Sequence, residues 1–111
     1  MDLKDGIEKS ATGTTTGSYV NAMQLAIAPI KSTSFVIANT GVTNTMFYKV
    51  LVYRNNDDIT YPEEYVPETS IGTSSQDEVD LMEYGISKVI VQVKNNAGAT
   101  TYAIKGIQQR G

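Results

Sequence analysis

The strongest constraint on this chain is a missing pattern: nowhere do apolar residues recur at the 3.6-residue spacing of an amphipathic helix. From Tyr19 onward, short runs rich in Val, Ile, Thr, Tyr and Phe alternate with turn-forming residues. Strands are predicted over about 20–30, 34–39, 46–54, 59–66, 78–81, 86–94 and 100–108. Between them lie Asn39-Thr40-Gly41, Asn55-Asn56-Asp57-Asp58, Ile71-Gly72-Thr73-Ser74-Ser75 and Asn95-Asn96-Ala97-Gly98. The last of these predicts a tight antiparallel hairpin, because Asn and Gly tolerate positive φ. About seven strands without an intervening helix argue an all-β antiparallel sandwich, immunoglobulin-like or jelly-roll.

Side-chain alternation supports this fold. Along 87–94, Val89, Val91 and Val93 point one way and Lys88, Gln92 and Lys94 the other, with Ile90 as the exception. Tyr102 and Ile104 repeat the pattern, and the expected core is Phe35, Ile37, Val50, Val52, Val89, Val91, Val93, Tyr102 and Ile104. Met46–Arg54 is apolar on both faces: Met46, Tyr48, Val50 and Val52 on one, Phe47, Leu51 and Tyr53 on the other. Such a strand is central in the packing, or has its outer face covered by another chain. Phe47, Leu51, Tyr53, Tyr61 and Tyr65 are therefore the candidate interface residues, since tyrosine combines an apolar ring with a polar tip.

At 111 residues the chain is one domain, large enough to fold without a metal or disulfide. Residues 1–18 end in Ser10-Ala-Thr-Gly-Thr-Thr-Thr-Gly-Ser18, a polar, glycine-punctuated stretch that reads as a flexible arm before a sandwich over 19–111. The segment Tyr61-Pro-Glu-Glu-Tyr-Val-Pro-Glu68 holds two of the three prolines and suits an edge strand.

Composition narrows the chemistry. The chain has no His and no Cys, so Ser-His-Asp triads, Cys-His pairs and ordinary zinc sites are ruled out. Its carboxylates do not form a recognisable glycosidase pair, and Asn55-Asn56-Asp57-Asp58 lacks the spacing of an EF-hand calcium loop. No catalytic residue, cofactor or metal is assigned, and the chain is read as a non-enzyme. A net charge of −3 gives no basic stripe for nucleic acid. No apolar run is long enough to span a bilayer. The opening Met1-Asp-Leu-Lys-Asp-Gly6 lacks a signal-peptide pattern, so synthesis in the cytoplasm is expected.

Two local resemblances bear on the fold and the role. Asp80-Leu-Met-Glu-Tyr-Gly-Ile86 resembles the Asp-x-Ala-x-Tyr-x-Cys signature of immunoglobulin domains, with Ile86 at the cysteine position. Its phase conflicts with that of Val89, Val91 and Val93, so a bulge or bend near Ser87 is required. The runs Ser34-Phe-Val-Ile-Ala-Asn-Thr-Gly41, Tyr48-Lys-Val-Leu-Val-Tyr53, Lys88-Val-Ile-Val-Gln-Val-Lys94 and Thr101-Tyr-Ala-Ile104 resemble the small β-sandwich proteins of tailed-phage particles. That resemblance implies a non-enzymatic virion component, in capsid decoration, tail or connector, that forms homo-oligomers and meets other virion proteins. The alternative is a carbohydrate- or surface-binding sandwich that presents its tyrosines.

Overall fold

The computed structural model describes residues 6–26, 31–54, 62–81 and 86–110. They form β1 (Gly6–Thr14), β2 (Val20–Ala26), β3 (Lys31–Asn39), β4 (Met46–Arg54), β5 (Glu63–Ile71), β6 (Ser75–Leu81), β7 (Ile86–Asn95) and β8 (Thr101–Arg110). Two four-stranded sheets result, β1-β8-β3-β6 and β2-β7-β4-β5, with every pairing antiparallel. Successive strands change sheet at every step except β4 to β5. This is the jelly-roll member of the two expected sandwiches.

Three expectations are corrected here. The arm expected over 1–18 instead supplies β1, an eighth strand paired with β8 over nine residues. Its Ser and Thr residues suit a half-exposed pleat, and Gly13 leaves room for the Tyr102 ring, since a Cβ there would come 2.6 Å from the Tyr102 hydroxyl. The expected hairpin at Asn95–Gly98 is no hairpin, because β7 and β8 belong to different sheets. The strand expected at 59–66, whose residues 59–61 lie outside the described ones, runs on to Ile71 as β5. There the partner register skips a residue around Pro67–Glu68 and again at Tyr65, so an edge strand accommodates its proline within bulges.

The core lies between the sheets. Phe35, Ile37, Val50, Val52, Val89, Val91, Val93, Tyr102 and Ile104 are all buried, joined by Met23, Leu25, Met46, Tyr48, Ile71, Val79, Leu81 and Ile86. A bulge stands where the phase conflict demanded one: Tyr53 pairs with Lys88 and Arg54 with Ile86, leaving Ser87 as the extra residue. Ile86 and Val89 thereby both face the core, while Ser87 donates to the Tyr53 carbonyl at 3.1 Å. The tyrosine of the immunoglobulin-like motif, Tyr84, lies outside the described residues. Gly106 sits between the sheets with no room for a side chain. A Cβ there would lie 2.9 Å from Leu25, 3.0 Å from Phe35 and 3.2 Å from Met23 Sδ, one contact set spanning both sheets. At the core margin the Tyr48 hydroxyl donates to Asp77 at 3.1 Å. Burial, then the Asp77 carboxylate, pushes the Tyr48 hydroxyl up to about 12, so it stays a donor.

One end of the sandwich is closed by a polar plug. Asn39 donates to the carbonyls of Asn44 (2.9 Å) and Ile71 (3.0 Å), and its Oδ1 accepts from the Thr100 hydroxyl (2.7 Å) and the Gly41 amide (3.1 Å). Thr15 Oγ1 accepts from Asn95 Nδ2 (2.8 Å) and the Thr100 amide (3.0 Å). Ser74, with φ at 53°, donates its amide to Gly41. Asn39, Thr15, Asn95 and Thr100 are buried, and every one has partners, as polar groups out of water require. The plug ties the links β1–β2, β3–β4, β5–β6 and β7–β8 together.

Candidate contact surface

Alternation along β4 and β7 decides what the second sheet shows to the outside. Once Val50, Val52, Val89, Val91 and Val93 face the core, their neighbours must face outward. Paired residues share a face, so the outer surface can be read in rows across the strands. One row is Gln24–Ile90–Leu51–Glu64; above it lies Asn21–Gln92–Lys49, then Lys94–Phe47–Ser70, and below it Ala26–Lys88–Tyr53. Ile90 is buried although it faces outward, and Phe47, Leu51 and Tyr53 are half-buried. Apolar and charged residues therefore alternate on this face: Ile90 and Leu51 form an apolar pair, with Tyr53 and Lys88 one row below and Lys49 and Gln92 between Leu51 and Phe47.

Cross-bracing fixes the charged residues. Tyr19 precedes β2, and its hydroxyl donates to Glu68 on β5 at 2.6 Å, reaching across the sheet. Lys49 Nζ stands 4.5 Å and Lys94 Nζ 5.1 Å from the Tyr19 ring centre, within cation–π range. Lys49 also pairs with Glu64 at 3.7 Å and Lys94 with Glu68 at 3.6 Å. Lys88 Nζ sits 4.4 Å from the Tyr53 ring centre, and Gln92 donates to Asn21 at 2.7 Å. Burial, then the hydrogen bond to Glu68, pushes the Tyr19 hydroxyl well above the ordinary tyrosine range. Glu68 is held below the usual carboxylate range, mainly by the Tyr19 hydroxyl and further by Lys94 and Lys49. At neutral pH the bond joins a neutral donor to an anionic acceptor, the stronger kind of hydrogen bond.

Phe47, Leu51 and Tyr53 thus share one outward face, as the alternation of β4 predicts. Tyr65 does not join them: it lies in a β5 bulge and packs against the core. Tyr61 lies outside the described residues, as does the Asn55–Asp58 loop considered for calcium. The bracing residues Tyr19, Glu64 and Glu68 carry no sequence signal, since Tyr19 and Glu68 stand 49 positions apart. Of the bracing residues, Lys88, Gln92, Lys94 and Tyr53 are recognisable from alternation as outward-facing. Among the described residues, no group of three or more acidic side chains lies close enough together to hold a metal ion. Several carboxylates are engaged singly: Asp80 by Ser34 (2.8 Å), Asp77 by Tyr48, Glu8 by Lys105 (3.1 Å).

No protein family matches the sequence, and no curated protein is similar to it. Solved structures share the fold. A chain from the disulfide-linked pili of Bacillus endospore appendages matches with a TM-score of 0.61 and 13% identity, over 95% of this chain and 86% of that one. The Yersinia pseudotuberculosis-derived mitogen matches at 0.57 and 16% identity, over 95% and 86% of the two chains. The SPBc2 prophage-derived protein YomS matches at 0.55 and 15% identity, over 97% of each. At such identities the likeness establishes a common fold, and fold alone does not carry function.

Proposed function

We propose that this chain is a non-enzymatic structural subunit of a phage particle, in capsid decoration or tail, which works through contact rather than turnover. The observation that carries the proposal is the outer face of β2-β7-β4-β5. It presents the half-buried Phe47, Leu51 and Tyr53 on one strand, interspersed with Lys49, Lys88 and Lys94, whose positions are fixed by ion pairs and by the rings of Tyr19 and Tyr53. Aromatic residues such as Phe47 and Tyr53 are enriched in protein–protein contact surfaces. Bracing by Tyr19, Lys49, Lys94 and Glu68 holds these side chains in place before any partner arrives, which lowers the ordering cost of association. The match to a pilus chain is in keeping with a fold that serves in an assembly, and the match to a prophage-derived chain with a phage origin. That pilus is disulfide-linked, whereas this chain has no cysteine and so makes no disulfide contacts.

The carbohydrate-binding alternative needs tyrosine rings open for stacking. Tyr19 and Tyr53 each already carry an ammonium over the ring, which speaks against that role. In the structural reading the chain is made in the host cytoplasm and leaves it within the particle. Density-gradient fractionation of particles from the encoding phage, with this chain followed by quantitative mass spectrometry, tests the reading. Stoichiometric presence in the particle band, lost on Leu51→Glu, is expected; a chain found wholly in the soluble fraction overturns it.

A further inference from the structure

Each four-stranded sheet ends in two edge strands, and unpaired backbone groups on an edge invite another strand. Three of the four edges are guarded. β5 carries Pro67, two bulges, and Glu63, Glu64 and Glu68. β6 is shorter and holds Asp77, Glu78 and Asp80, so a copy of itself would meet like charge. β2 has a bulge at Ala22, and its Gln24 and Ala26 carbonyls already accept from Lys9 Nζ (2.9 Å) and Gln108 Nε2 (3.0 Å). β1 differs from all three: it pairs with β8 over nine consecutive residues without a register shift, has no proline, and carries one acid and one base.

We propose that two copies of this chain join through β1, strand against antiparallel strand about a two-fold axis at Ser10. The two β1-β8-β3-β6 sheets then form one continuous sheet. A two-fold axis normal to the sheet keeps the core sides of both copies together, so inward residues pair with inward ones. With the axis at Ser10 the whole strand overlaps, Gly6 opposite Thr14. Glu8 then faces Thr12 and Lys9 faces Ala11, so no like charges oppose one another and each long side chain meets a short one. Axes at Glu8 or Lys9 would superpose like charges, and both also lose overlap. Lys9 keeps its bond to the Gln24 carbonyl, closing the open side of each sandwich beneath the joined strands. Such an isologous pairing is closed and stops at two copies, because the remaining edges are the guarded ones.

This inference stands apart from the particle reading, since it concerns how copies meet one another and uses different residues. Light scattering on the purified full chain across a concentration series tests it, with engineered cysteines in a chain that has none of its own. Twice the 12.1 kDa chain mass is expected at high micromolar concentration. Ser10→Lys, at an exposed position, should return a folded monomer that melts where the parent does when diluted to its monomeric state. Ser10→Cys should form an intermolecular disulfide on mild oxidation, and Glu78→Cys on the opposite edge should not. A monomer at all concentrations overturns the proposal, as does a dimer that survives Ser10→Lys or crosslinks as fast through Glu78→Cys. Loss of particle association with the dimer intact would overturn only the particle reading.

Discussion

The outer face of β2-β7-β4-β5 reads Gln24–Ile90–Leu51–Glu64 and Asn21–Gln92–Lys49 across its strands. That of β1-β8-β3-β6 reads Thr12–Ala103–Ala38–Gln76 and Ser10–Lys105–Val36–Glu78. The first is built of large side chains braced against one another. The second mixes large side chains with small ones, and Ala38, Ala103 and Thr12 leave a shallow trough beside β1. Both sheets share one core, so their inner faces obey the same rule of close packing. Their outer faces are under no such common rule, and each is shaped by what it meets. Large, cross-tied residues suit a surface that must hold its form; small residues beside an open edge let another backbone approach.

If the inner faces are set by the common core, the costliest changes lie there. Val91→Asp, fully buried at the centre of β7, should lose about 4 kcal/mol or more in urea unfolding, because an unpaired carboxylate enters the core. A near-native midpoint would show that the two faces of β7 are exchanged. Next comes the plug. Asn39→Ala strands the Thr100 hydroxyl, the Gly41 amide and two carbonyls, and a loss of roughly 2–3 kcal/mol should follow.

Between the outer faces the contrast is direct. Leu51→Ala should cost about 1 kcal/mol, since the half-buried side chain packs in the row with Ile90, while exposed Thr12→Ala should stay within about 0.5 kcal/mol. Equal losses in urea titration would erase the distinction. The smallest effect belongs to Glu68→Gln. The folded state holds Glu68 below its ordinary value, so its contribution is present above that value and fades as pH falls through the folded one. The gap in melting temperature between the parent and Glu68→Gln should therefore be present at neutral pH and close in acid. A gap that persists well below the glutamate range would point to lost packing instead of lost charge.

Much of this was legible from local pattern. β4 falls at Met46–Arg54, as the unbroken Phe, Tyr and Val run implies, and the clash of phase between Ile86 and Val89 located the bulge at Ser87. The outward set Phe47, Leu51 and Tyr53 follows from the same alternation. What local pattern missed depends on distant partners. The Thr, Ser and Gly of β1 read as a linker because their strand character comes from β8, nearly a hundred positions on. Asn95 reads as a hairpin residue until Thr15, 80 positions earlier, becomes its partner and draws the link into the plug. Tyr65 misleads because a bulge reverses its facing, and bulges in β5 follow from packing against β4.

The placement of the plug also decides how the sandwich answers a pull. Gly6 lies opposite Gln109 at the far end of the β1–β8 pair, while Thr14 lies opposite Thr101 beside the plug. Tension between Gly6 and Arg110 acts on two neighbouring antiparallel strands from one end. It peels them apart pair by pair, like a zip, at low force. Tension spread along the length of β1 loads all nine pairs at once and is resisted together. The molecule is thus weak to a tug on its two end strands and strong to a load carried along its sheet, and a peel begun at Gly6 reaches the tied loops only at its ninth pair.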